Sequence, residues 1–202
     1  MGEQSGRCER KDKQRNLERV LRAAHELIAE HGAGVTMEEV ARRAGVGVGT
    51  IYRRFPSKEQ LLAAVSGAAC QDARHCVAEA ADHATSPLEK LRAIVLAQHL
   101  QNSQQASLLD MGLGAEGEIG GCAIPTQQAD LYSTLRTLLR VVLVEGQRSN
   151  EIRSGDPDLL AALCLELLSP RVYQRLRPLV NGPPEAVADH VLKFVLSGVQ
   201  QS

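Results

Sequence analysis

The sequence predicts an all-α protein, and three observations carry that prediction. Apolar residues recur at three- and four-residue steps along most of the chain, which is the spacing of one face of an amphipathic helix. Helix start signals recur, as capping boxes or as proline at the first helical position. Strand signals are missing, because no segment alternates apolar and polar residues cleanly.

Residues 1–13 are dense in charge and read as a flexible basic tail. Leu17, Val20, Leu21, Ala24, Leu27 and Ile28 form one stripe, so a helix is expected over 14–31, closed by Gly32 and Gly34. Thr36-Met37-Glu38-Glu39 is a capping box that opens a helix over 37–44. A second short helix, 48–55, follows the turn Ala44-Gly45-Val46-Gly47. Ser57 and Gln60 repeat the capping spacing and start a long helix over 58–83. Ser86-Pro87-Leu88-Glu89 starts 87–105, with proline where its missing N–H costs nothing. Segment 110–125 is glycine-rich and reads as a loop or a frayed short helix. Helices follow over 126–148, over 157–180 with a break near Pro170, and over 184–200.

A chain of 202 residues can hold one large domain, or a small one fused to a larger. Net charge is −1, but it is uneven: residues 1–58 hold twelve Lys/Arg against eight Asp/Glu, a balance of +4 that leaves −5 for the rest. A basic module that meets a polyanion and an acidic body that does not would show this asymmetry, and so would chance. No apolar run approaches the roughly 20 residues of a membrane span, and the polar N-terminus lacks a secretory h-region. Cytoplasmic residence without membrane association is the expectation. Cys8, Cys70, Cys76, Cys122 and Cys164 show no Cys-x-x-Cys spacing. Three of them, Cys70, Cys76 and Cys164, sit on apolar stripes and read as small core hydrophobes. No metal-ligand spacing, phosphate loop or nucleophile–base pair is present, so no enzyme activity, cofactor or metal is expected.

The segment AGVGVGTIYRRFPSKEQLL, residues 44–62, carries the functional reading. Two short helices joined by a tight turn form a helix-turn-helix, whose second helix enters the major groove of DNA. Gly45 can adopt the left-handed conformation that closes the first helix. Val40, Ala44, Val46 and Ile51 can fill the space against the helix over 14–31. Gly47, Val48 and Gly49 let the backbone approach DNA. Thr50 and Tyr52 can meet phosphates or base edges. Arg53 and Arg54 can neutralise phosphates or read guanine. Thr36 and Lys58 stand at the starts of flanking helices, where they can add backbone contacts. Each residue alone has a plainer reading: Tyr52 and Phe55 as core aromatics, the arginines as a solvated face. Taken together at this spacing they favour double-stranded DNA as partner.

Here the sequence resembles the tetracycline-repressor (TetR/AcrR) family of bacterial regulators. Thr36, Ala41, Gly45, Val46, Thr50, Tyr52, Phe55, Lys58 and Leu61 sit where that family's motif expects them, within residues 14–62. Residues 163–199 resemble the C-terminal half of many members. The resemblance implies a helix-turn-helix DNA-binding domain over 14–58 and a helical ligand-binding and dimerisation domain over 59–202. It also implies a homodimer that represses nearby genes until a small-molecule effector binds. Many members carry polar side chains where this chain has Gly47, Val48 and Gly49, which shifts the expected base readout to Thr50, Tyr52 and Arg53. The other reading open at this point is a helical binding module or enzyme that does not use DNA.

Two further expectations come from the body. The last helix and the helix at 157–168 are apolar on most sides, which argues for burial by a second copy. The residues expected at that interface are Leu160, Cys164, Leu167, Val191, Phe194 and Val195. Aromatics are scarce, which argues against a pocket of stacked rings. Gln98, His99 and Asn102 interrupt an apolar helix, and with Met111 and Tyr132 they are the candidates for contact with an effector. A satisfied core histidine is the plainer reading of His99.

Overall fold

The computed structural model describes residues 3–111, 126–183 and 185–199. Ten α-helices fill them: α1 Glu3–His31, α2 Met37–Ala44, α3 Val48–Arg54, α4 Lys58–Asp82, α5 Pro87–Gln104, α6 Ala106–Asp110, α7 Thr126–Arg148, α8 Pro157–Leu167, α9 Pro170–Leu176 and α10 Ala186–Val199. Short 3-10 turns cover Gly32–Gly34 and Arg177–Leu179, and no β-strand occurs among the described residues. The all-α expectation holds.

Most start signals act as read. Thr36 and Ser86 form complete capping boxes with Glu39 and Glu89. Ser57 accepts from the Gln60 amide, and Asp156 caps α8 ahead of Pro157. The break near Pro170 is sharp, since proline cannot continue a helix and Ser169 instead caps α9 by accepting from the Val172 amide. The N-terminus corrects the reading of residues 1–13 as a flexible tail, because α1 is helical from Glu3. Glu, Gln, Arg and Lys dominate that stretch, and their high helix propensity outweighs Ser5 and Gly6. A short helix, α6, precedes the expected loop, whose residues 112–125 lie outside the described ones.

Two apolar cores form. The N-terminal core joins Val20, Ala24, Leu27 and Ile28 of α1 to Val40 and Ala41 of α2, Ile51 of α3 and Phe55. It also takes Leu61, Leu62, Val65 and Ala69 of α4, and Leu108 of α6. This core therefore runs past the boundary expected at residue 58. The second core takes Ala73, Val77 and Ala81 from the far half of α4, with inward faces of α5, α7, α8, α9 and α10. One continuous helix thus serves both cores, so a turn of α4 in one core is rigidly tied to the other.

The expected dimer residues need correction. Leu160, Cys164, Val191 and Val195 are buried inside the protomer, and Leu167 is half-buried against the same core. Only Phe194 points outward, at 70% exposure. Leu159 and Leu163, on the stripe of α8 next to that of Leu160, are 58% and 55% exposed. A helix apolar on most sides does not reveal from sequence which side its own core takes.

Candidate nucleic-acid interface

The turn between α2 and α3 is held from three sides. Gly45 closes α2 in the left-handed region, at φ 65 and ψ 41, and its N–H reaches the carbonyls of Ala41 and Arg42. Val46 N donates to Ala41 O at 3.0 Å. From α1, Arg19 Nη2 donates to Ala44 O at 2.5 Å and lies 3.4 Å from Gly45 O. A Cβ on residue 45 would sit 2.7 Å from that guanidinium nitrogen. Gly45 is therefore needed for its dihedral angle and for the close approach of Arg19, a brace that helical periodicity does not show.

Ile51 and Phe55 anchor α3 in the core, as expected for Phe55. That leaves Val48, Gly49, Thr50, Tyr52, Arg53 and Arg54 exposed. A Cβ on Gly49 would meet nothing within 4 Å, and one on Gly47 only Thr50 Oγ1 at 3.9 Å. The protomer itself does not require glycine at either position. No side chain caps the start of α3.

The charges around α3 divide into engaged and free. Arg43 grips Glu30 with both terminal nitrogens, at 2.9 and 2.8 Å, and Glu26 lies 3.6 Å away. Hydrogen bonding to Arg43 holds the Glu30 carboxyl below its ordinary range. Lys58 Nζ donates to Ala33 O at 2.6 Å, so its first task is to tie α4 to the turn after α1. The Thr36 hydroxyl is used within its cap: it accepts from Glu39 N at 3.2 Å and donates to Glu39 Oε2 at 2.9 Å. Tyr52 Oη donates to Glu38 Oε1 at 3.3 Å, and the Glu38 charge pushes the phenol's pKa up. Arg42, Arg53 and Arg54 have no hydrogen-bond or ion-pair partner among the described residues. Arg53 and Arg54, with Lys13, Gln14, Asn16 and Thr50, rim a cleft of about 350 Å³ between α1 and α3, floored by Leu17, Val20 and Phe55.

The residues singled out in the body are only partly brought together. Gln98, His99 and Asn102 are all buried on α5. Gln98 Nε2 donates to Asn102 Oδ1 at 3.1 Å, and Asn102 Nδ2 donates to Leu168 O at 3.1 Å. Tyr173 of α9 joins them, its ring centroid 6.3 Å from that of His99. Tyr173 carries no signal in the sequence, where Arg171, Gln174 and Arg175 surround it, and only the fold turns it into the core. Met111 packs on the N-terminal core instead, and Tyr132 is half-buried on α7.

Comparison with known proteins now decides the family. The profile described as "Bacterial regulatory proteins, tetR family" matches residues 20–65. The uncharacterized HTH-type transcriptional regulator MT2310 of Mycobacterium tuberculosis (strain CDC 1551 / Oshkosh) is 30% identical over 148 residues, 73% of this chain and 75% of that protein. The chain belongs to the TetR family. It is a DNA-binding transcriptional regulator. Solved structures share the fold. The transcriptional regulator FadR from Bacillus subtilis, in complex with stearoyl-CoA, aligns with a TM-score of 0.68 at 21% identity, covering 91% of this chain and 99% of that one. The ketosteroid transcriptional regulator KstR2 of M. tuberculosis aligns with a TM-score of 0.67 at 20% identity, covering 92% and 95%. The TetR profile ends at residue 65, well inside α4, whose first half the N-terminal core also takes. Among the described residues of this TetR regulator, no helix is long and apolar enough to cross a membrane.

Proposed function

We propose that this TetR-family protein is a repressor that binds a palindromic operator as a homodimer and leaves it when a small-molecule effector binds the body. The observation that carries the reading is α3: a braced helix presenting Thr50, Tyr52, Arg53 and Arg54, with both guanidiniums free of ion pairs among the described residues. Free cations on an exposed recognition helix can displace counterions from phosphate, which supplies affinity, while the neighbouring side chains reach base edges.

Leu159, Leu163 and Phe194 support the dimer. Three large exposed apolar side chains on α8 and α10 suit an isologous contact. Such a dimer presents two copies of α3 to half-sites about one helical turn apart. The effector reading is supported by the buried polar group of α5 and α9, and by the stearoyl-CoA bound to the similarly folded FadR. Thr36 and Lys58 serve first as braces and contact phosphate through what remains free on them.

Titration of the purified protein against the intergenic DNA beside its own gene tests this reading. Saturable binding with two protomers per site supports it. Binding no tighter than to random duplex at every salt concentration would remove the operator from the proposal.

A further inference from the structure

We propose that Gln98, His99 and Tyr173 form the recognition end of the effector site, and that they select an uncharged ligand carrying a hydroxyl group on an apolar body. The proposal rests on the effector-responsive reading above.

The hydrogen-bond chain fixes the chemistry. Leu168 O can only accept, so Asn102 must turn Nδ2 toward it, at 3.1 Å. Asn102 Oδ1 then faces Gln98, and only Gln98 Nε2 can meet it, at 3.1 Å. Gln98 Oε1 is left over as a buried acceptor with no donor among the described residues. His99 is 1% exposed, and neither ring nitrogen completes a hydrogen bond of full geometry there, although the Leu167 backbone lies close enough to act on the ring. Tyr173 is 0% exposed, and its hydroxyl is likewise unpartnered. Each such orphan is costly when left unmet, so several in one core call for a reason.

The group carries no charge at neutral pH. Burial pulls the His99 pKa down to about 4, with the Leu167 backbone partly offsetting it, and burial pushes the Tyr173 phenol up. Arg177, the cation that acts on Tyr173, is already paired with Asp110 at 3.1 Å. Ile94, Val95, Cys164 and Leu168 belong to the same apolar core, and burial pushes the Cys164 thiol up to about 11. A carboxylate or ammonium placed here would be an unpaired buried charge. A ketone can accept from His99 or Tyr173 but leaves Gln98 Oε1 unmet. A hydroxyl can donate to Gln98 Oε1 and still accept from the others.

The test uses three probes with one tail length: 1-octanol, 2-octanone and octanoate. Each is titrated calorimetrically into the full chain without DNA, with thermal unfolding alongside. The expected result is saturable octanol binding that raises Tm, binding of 2-octanone about tenfold weaker, and none of octanoate. Gln98→Leu should keep octanol binding but reduce the alcohol-over-ketone preference to within about twofold, with an unliganded Tm no higher than wild type because Asn102 Oδ1 loses its donor. Octanoate binding as well as octanol, equal binding of alcohol and ketone, or binding of no probe would overturn the proposal; the last result would assign the orphan atoms to internal water. A tenfold preference surviving in Gln98→Leu would overturn the assignment of the acceptor. Octanol binding by a protein that ignores DNA would remove the regulator reading and leave this one standing.

Discussion

Arg177 holds Asp110 across the two halves of the molecule, its Nη2 lying 3.1 Å from Oδ1 and 3.3 Å from Oδ2. Asp110 ends α6, and two residues before it Leu108 is buried in the N-terminal core. Arg177 follows α9, one turn beyond the buried Tyr173. The pair thus fastens the element beside the polar group to one seated under the DNA-binding helices. It is half exposed, so it contributes little to stability, on the order of 0–1 kcal/mol. Arg177→Ala should leave Tm and basal DNA affinity near wild type. It should shrink the change in DNA affinity that saturating 1-octanol produces, as a loss of coupling between sites. Paired DNA titrations with and without the probe read this, and an unchanged ratio would take the latch out of the signal path.

Gly45 carries both a left-handed backbone and the weight of Arg19 beside it. Gly45→Ala should cost about 1–2 kcal/mol from backbone strain alone, with more from displacing the guanidinium. In an Arg19→Ala background the second part is already gone, so the two substitutions should be less than additive. A double-mutant cycle of thermal unfolding checks it; strict additivity would mean that Arg19 does not brace the turn.

His99 makes stability depend on pH in a stated direction. Its folded-state pKa of about 4 lies below the ordinary 6.5, so the unfolded chain takes up the proton first as pH falls. Stability is therefore full above about 6.5 and declines toward 4, by on the order of 3 kcal/mol. His99→Leu should flatten the decline. Urea midpoints measured from pH 7 down to 4.5 show whether it does.

The outward and inward faces of α8 should separate in mutagenesis. Leu163→Glu and Phe194→Glu should yield folded monomers by sedimentation and weaken operator binding, because half-sites then bind independently. Leu160→Ala should instead destabilise the protomer by about 2–5 kcal/mol, as a cavity in its core. A Leu163→Glu protein that remained dimeric would move the interface elsewhere.

Much of this was legible in the chain because local rules wrote it. Thr36, Ser57, Ser86 and Asp156 start helices through their own side chains, and Gly45 ends one through its own dihedral freedom. Gln98, His99 and Asn102 stood out as polar residues in an apolar stripe. What stayed hidden depends on residues far apart in sequence. The reach of Arg19 to Gly45, of Lys58 to Ala33 and of Arg177 to Asp110 leaves no periodic trace. The same holds for the choice of Leu160 over Leu159 as the buried side of α8, which only the packed neighbours decide.

The role of α3 is tested most directly by the salt dependence of duplex binding. Wild type, Arg53→Ala, Arg54→Ala and Arg43→Ala should be titrated with one duplex at several salt concentrations. Arg53 and Arg54 are free of ion pairs among the described residues, so each substitution should weaken binding and reduce the salt slope by about one. Arg43, locked to Glu30, should leave the slope unchanged. Equal slopes for all four proteins, or a fall only in Arg43→Ala, would contradict the assignment of α3 as the helix that meets DNA.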